Sequence, residues 1–172
     1  MNAVLNSYHQ ELGIDAFFLA ENRLSFCEEA RLQDLEIVDL DFQGRPFLLT
    51  SATAVAWKKL NSAARSEKIT LNPASGFRSY LYQKRLIEAK LAAGRTLADI
   101  LTTNAIPGFS EHHTGRAIDI IADPKIAEDQ FYLTQTYLWM LENAKRFHFR
   151  LSYPKDNPFG IIFEPWHWFF LG

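Results

Sequence analysis

The sequence predicts an α+β domain, a small antiparallel sheet with helices packed on one side. Helical apolar stripes run through Ser51 to Ala64 and through Glu128 to Phe147. Short strand-like runs stand apart from them, at Glu36 to Phe42, at Ala117 to Ile121 and near the C-terminus. With 172 residues the chain is long enough for one sizeable core, and no repeat or linker divides it. Residues 1–172 therefore read as a single domain, with 1–70 as its N-terminal portion.

Residues 1–33 suggest helical turns and a short strand. From Glu36 to Phe42 apolar and acidic residues alternate, which predicts a strand ending at the turn Gly44-Arg45-Pro46. Ala52, Ala56, Leu60 and Ala63 mark one face of the helix over Ser51 to Ala64. Lys68 to Leu71 reads as a short strand entering the turn Pro73 to Gly76. Ser79 can cap a helix to Ala93 that buries Tyr82, Leu86 and Ala89 and stops at Gly94. Thr96 and Asp99 resemble a capping box, and Asn104 to Gly115 is a loop. In Glu128 to Phe147, Leu133, Tyr137, Met140, Leu141 and Ala144 recur at helical spacing. Acids at its start and Lys145, Arg146 and His148 at its end suit the helix dipole. Phe149 to Tyr153 and Gly160 to Leu171 read as strands interrupted by prolines.

Composition narrows the function classes. The chain is 48% hydrophobic and 22% charged, with a formal net charge of -2. That charge gives no general attraction to nucleic acid or anionic membranes, so placed cations must draw in any acidic ligand. The single cysteine, Cys27, excludes an internal disulfide and reads as a small buried hydrophobe. No stretch is long enough to span a membrane. The first 22 residues hold no Lys or Arg and no long apolar run, so the sequence as written predicts a cytoplasmic protein.

Five histidines carry the possible chemistry. His9, His113 and His148 read as structural, the last at a helix C-terminus. His112 lies in a loop, Asp119 on the following strand, and His167 near the C-terminus after Glu164-Pro165-Trp166. Two imidazoles and a carboxylate suffice for a tetrahedral Zn²⁺ that keeps one position for water. Glu164 is then a candidate general base. An extended chain would separate positions 164 and 167 by roughly 10 Å, so both can reach one metal only if the loop bends. The same donor set also describes a non-haem iron site, although such sites need no Glu three residues before the last ligand.

Three segments, in order, resemble the signature of the VanY-type D-alanyl-D-alanine carboxypeptidases, zinc metallopeptidases of the lysostaphin, D-Ala-D-Ala peptidase and hedgehog group. They are Ser75-Gly76-Phe77-Arg78-Ser79 with Gln83, Pro107 to His112 continuing through Gly115, Ala117 and Asp119, and Glu164-Pro165-Trp166-His167. The resemblance implies a hedgehog/D-Ala-D-Ala-peptidase-like fold. It makes His112, Asp119 and His167 the zinc ligands and Glu164 the base. Arg78 would polarise the scissile carbonyl or hold negative charge, and Ser110 and Gln83 would hydrogen-bond the substrate. Two departures stand out: Phe169 occupies a position where members often carry Arg, and members commonly act outside the cytoplasmic membrane whereas the sequence as written shows no signal peptide, which leaves the compartment open.

The implied activity is removal of a C-terminal D-alanine from peptidoglycan-type peptides. The charge balance predicts no nucleic-acid partner, and the oligomeric state stays open, with a monomer the expectation. A D,D- or L,D-endopeptidase or lysin with the same zinc chemistry, and a non-catalytic module that grips wall peptides, are the alternatives.

Overall fold

The computed structural model describes residues 3–172. Helix α1 spans Ala3–Glu11 and α2 spans Ala16–Glu21, where the Asp15 carboxylate accepts the amides of Phe17 and Phe18. Among the described residues no strand forms before residue 35; residues 22–31 run without regular structure. Strands β1 (Leu35–Leu40) and β2 (Pro46–Thr50) form an antiparallel hairpin, a separate two-stranded sheet. The hairpin matches the predicted strand and turn. Its second arm goes beyond the sequence reading, because Phe47-Leu48-Leu49 is too short to show a period.

Helix α3 covers Ser51–Ser66 and buries Ala54, Trp57, Leu60 and Ala64. The expected Ala56 and Leu60 are buried, but Ala52 is exposed and Ala63 half-buried, because the stripe centres on the large Trp57 ring. The predicted strand at Lys68 to Leu71 lies four residues too early: β3 is Asn72–Ser75. Lys68 has φ 63°, which breaks any strand there. Pro73 is accommodated because β3 lies at the edge of its sheet, where a missing N–H is harmless.

Helix α4 (Tyr80–Ala92) is capped by Ser79, whose hydroxyl accepts the Tyr82 amide, and it ends before Gly94 at φ 86°. It buries Tyr80, Gln83, Lys84 and Ile87, whereas Tyr82 and Ala89 are exposed, correcting the expected face. Thr96 caps the short α5 (Leu97–Ile100) as expected. After β4 (Ala117–Ile121), the long helix predicted from 128 to 147 is three pieces. A 3₁₀ stretch (Glu128–Leu133) is followed by α6 (Gln135–Asn143) and a second 3₁₀ stretch (Ala144–Phe147). The break falls at Thr134, which is extended and turns its hydroxyl to the Tyr137 amide as a fresh N-cap. Strands β5 (Phe149–Leu151) and β6 (His167–Phe170) complete the chain; residues 160–166 are irregular where a longer strand was expected.

The main sheet has the order β3-β4-β6-β5, all antiparallel. Because side chains alternate along a strand, each strand faces two environments. Ile118, Ile120, Trp168 and Phe170 join α3 and α6 in the larger core. Asp119 lies opposite His167 in the β4–β6 register, so both project from the other face. A second cluster of Leu12, Ile14, Ile87, Ile100 and Ile106 ties the N-terminal helices to α4 and α5.

Candidate metal centre and cleft

His112 sits in a single 3₁₀ turn, Glu111–Thr114, stopped by Gly115 at φ 65°. A Cβ on Gly115 would lie 2.8 Å from the Leu35 side chain and 3.3 Å from the Thr50 amide. Only glycine lets this turn close against the hairpin and deliver the chain into β4. Glu164 to His167 is a tight turn in which the His167 amide donates to the Glu164 carbonyl at 3.1 Å. Pro165 at its second position favours that geometry. The loop thus bends as the sequence argument requires.

These elements bring His112, Asp119 and His167 together, all buried, with one ligand-type atom from each within 4.8 Å of the others. The His112 Nδ1–H donates to the Gly76 carbonyl at 2.6 Å, which leaves the lone pair on Nε2. That Nε2 is buried without a hydrogen-bond partner, although Asp119 Oδ2 stands 3.1 Å away. Burial, with help from the Arg78 charge, lowers the His112 pKa to about 4, so near neutral pH two lone pairs face each other. Such a contact calls for a cation between them. Two donors each ~2 Å from a tetrahedral metal are about 3.3 Å apart, close to this spacing. The donor set therefore fits a small tetrahedral cation such as Zn²⁺.

His167 is held between two carboxylates, with Nδ1 2.9 Å from Asp119 Oδ1 and Nε2 2.9 Å from Glu111 Oε2. Burial opposes charge on this ring, but these hydrogen bonds outweigh it and raise the pKa to about 10. Burial likewise works against an ionised Asp119, yet the neighbouring His112 and Arg78 hold it well below the usual range. Glu111 is fixed in turn by Ser152 Oγ at 2.5 Å and by Arg150 Nη2 at 2.8 Å. Sequence reasoning assigned Glu111 no role. Its one signal was adjacency to His112, and nothing local reveals that it faces a histidine 56 positions on.

Glu164, Arg78, Ser110 and Gln83 line one cleft with the three metal-ligating candidates, a cavity of about 320 Å³. Burial raises the Glu164 pKa to about 7, with Asp119 adding to the rise while His167 and Arg78 oppose it. Arg78 bonds Asp119 through Nη2 and the Ser75 hydroxyl through Nε, at 2.8 Å for the latter. Gln83 donates to the Ala105 carbonyl at 2.9 Å, and its buried Oε1 has no partner.

The remaining histidines are structural. His113 donates from Nδ1 to the Arg78 carbonyl at 2.7 Å and accepts the Gly108 amide at 3.1 Å. His9 contacts the Pro107 carbonyl, and His148 closes the last 3₁₀ stretch at φ 63°. Phe169, the departure from the motif, lies between the guanidinium groups of Arg116 and Arg150, at 5.0 and 5.3 Å.

Fold and site together define an α+β domain built around a buried His–Asp–His metal group. Residues 47–172 match the VanY family, D-alanyl-D-alanine carboxypeptidase, and the chain belongs to that family. It is 33% identical over 123 residues to a D-alanyl-D-alanine carboxypeptidase of Enterococcus faecalis (strain ATCC 700802 / V583), covering 66% of this chain and 44% of that one. A putative carboxypeptidase of Bacillus subtilis (strain 168), YodJ, is 32% identical over 81% of this chain and 54% of its own. The chain thus spans about half the length of these curated relatives. Among solved structures, the LdcB LD-carboxypeptidase superposes with TM-score 0.73 at 29% identity, over 83% of this chain and 70% of that one. A VanY D,D-pentapeptidase E175A mutant in complex with Zn(II) gives 0.64 at 29%, over 84% and 83%. VanYB in complex with D-alanine-D-alanine gives 0.69 at 28%, over 88% and 84%. No helix among the described residues is long and apolar enough to cross a membrane.

Proposed function

We propose that the protein is a zinc-dependent carboxypeptidase that removes a C-terminal D-alanine from peptidoglycan-type peptides. The observation that carries this reading is the buried His112 Nε2, without a hydrogen-bond partner and 3.1 Å from Asp119 Oδ2, a contact that a bound metal ion would satisfy. Family membership and the relatives' zinc and D-alanyl-D-alanine complexes support the choice of metal and substrate.

His112, Asp119 and His167 would hold the metal. Bound there, Zn²⁺ supplies a Lewis acid that acidifies a water and polarises a carbonyl. Glu164 takes one proton from the attacking water and returns it to the leaving amine as the C–N bond breaks. Without metal, burial holds this carboxyl at about 7; a bound cation would draw it down toward the carboxylate form that takes the first proton. Arg78 steadies Asp119 through Nη2, while its Nη1 makes no hydrogen bond among the described residues and can meet charge developing on the carbonyl oxygen. Gln83 and Ser110 line the same wall, where they would hydrogen-bond the substrate.

The test is incubation of the zinc-loaded protein with a pentapeptide ending D-Ala-D-Ala and a tetrapeptide ending L-centre–D-Ala, with products read by mass spectrometry. The LD-carboxypeptidase likeness makes the second peptide as necessary as the first. Release of one D-alanine is expected from at least one of them. Glu164→Ala should keep its zinc and lose about a hundredfold or more in kcat. Near-normal turnover by that variant would place proton transfer elsewhere, and cuts inside the peptide would make the protein an endopeptidase.

A further inference from the structure

The cleft contains a cation that the proposed chemistry does not use. Arg78, Lys90 and Arg95 all line it. Two of the three are neutralised inside the protein. Arg78 pairs with Asp119, and Arg95 donates to Asp99 Oδ2 at 2.6 Å. Lys90 is half-buried and makes no ion pair or side-chain hydrogen bond among the described residues. Glu128 stands on the rim of the same cleft without bonding to it.

A lysine in the last turn of a helix ordinarily reaches into solvent beside the terminal carbonyls. Gln83, Leu86 and Lys90 instead succeed one another at spacings of three and then four residues, so these side chains share one face of α4. All three line the cleft. From Gln83 to Lys90 the helix rises about 10 Å, roughly three residues of an extended peptide laid beside it. A half-buried ammonium with no internal partner loses hydration and gains no compensating bond. Burial and the Arg95 charge hold its pKa below the usual lysine range, against the opposing pull of Glu128 and Glu164, neither of which bonds it.

We infer that Lys90 forms a subsite for a peptide carboxylate in this cleft. The inference rests on the peptidase reading for the identity of the ligand as a peptide. Two sources offer the same chemistry, a side-chain carboxylate on a residue preceding the scissile bond and the C-terminal carboxylate itself.

Binding measured by calorimetry on the zinc-loaded Glu164→Ala protein separates these sources. Three versions of one D-alanine-ending peptide are compared: all carboxylates free, the side-chain carboxylate amidated, and the C-terminus amidated. Lys90→Met should weaken binding of the free peptide about tenfold, the loss typical of a hydrogen bond to a charged group. Lys90→Arg keeps the charge and should stay within about threefold. Amidation of the recognised carboxylate should cost the parent protein the same factor and abolish the effect of Lys90→Met, and whichever amide does so identifies the source. Equal weakening of all three peptides by Lys90→Met, or none, overturns the subsite. If the binding pattern holds but the protein with Glu164 intact cuts no peptide, the peptidase reading falls and the subsite stands. If no version binds, both fall.

Discussion

His112 and His113 are adjacent, both buried, and both held neutral near neutral pH with pKa values of about 4. Their difference lies in one hydrogen bond. The Gly108 amide satisfies Nε2 of His113, whereas no donor reaches Nε2 of His112. Local spacing cannot tell these two residues apart; the family motif could, because it assigns a role by position. The motif is equally silent about Glu111, whose partner comes from the other end of the chain. Glu111 takes the Nε2 side of His167 and leaves Nδ1 turned toward Asp119. A carboxylate in that place orients a ligating imidazole and raises its basicity. Glu111→Ala should therefore weaken zinc binding about tenfold or more in chelator competition. An affinity equal to the parent's would show that Asp119 and the Tyr153 ring, whose centroid lies 5.0 Å from that of His167, fix the imidazole without Glu111.

At the scale of elements, the legible parts were those with a local cause. The caps at Ser79 and Thr96 and the stop at Gly94 form as the sequence predicts, because each depends on residues a turn away. The β3 strand was misplaced because its pairing with β4 is a tertiary fact. The break at Thr134 was hidden because its neighbours keep helical periodicity through a 3₁₀ stretch. Gly76 shows how an element controls the site. A Cβ there would lie 2.5 Å from the Leu48 carbonyl oxygen, backbone that cannot swing aside, and its own carbonyl fixes the His112 ring. Gly76→Ala should destabilise the fold by about 2 kcal/mol, the usual scale of overpacking. Thermal melting should record a drop of roughly 4–8 °C for a chain of this size. An unchanged melting temperature would mean that β2 and the Ser75–Ser79 segment separate freely, and the accompanying zinc affinity would then be unchanged as well.

At the scale of the whole molecule, the candidate ligands come from three places: the turn before Gly115, strand β4 and strand β6. A metal held by all three binds only the folded chain, so it must stabilise the protein by mass action. With free zinc at a hundred times its Kd the gain is about 2.7 kcal/mol. That corresponds to a rise in melting temperature of roughly 5–10 °C, reversed by a chelator. The rise should depend on pH in a definite direction. In the metal-free protein His167 has a pKa raised to about 10 and is therefore protonated at neutrality. Its contribution to metal-free stability is complete below the unfolded histidine value of about 6.5 and disappears as pH rises through the folded value. Zinc must displace that proton, so between about pH 6.5 and pH 10 each unit upward should tighten binding about tenfold, adding roughly 1.4 kcal/mol to the difference between loaded and free protein. Melting curves with zinc and with chelator at pH 7 and pH 8 measure that difference directly. Calorimetry in buffers of different ionisation enthalpy should show about one proton released per zinc bound at pH 7. A zinc-dependent rise that stays constant between the two pH values, with no proton released, would mean that His167 is already neutral and that its two carboxylate neighbours do not hold it charged.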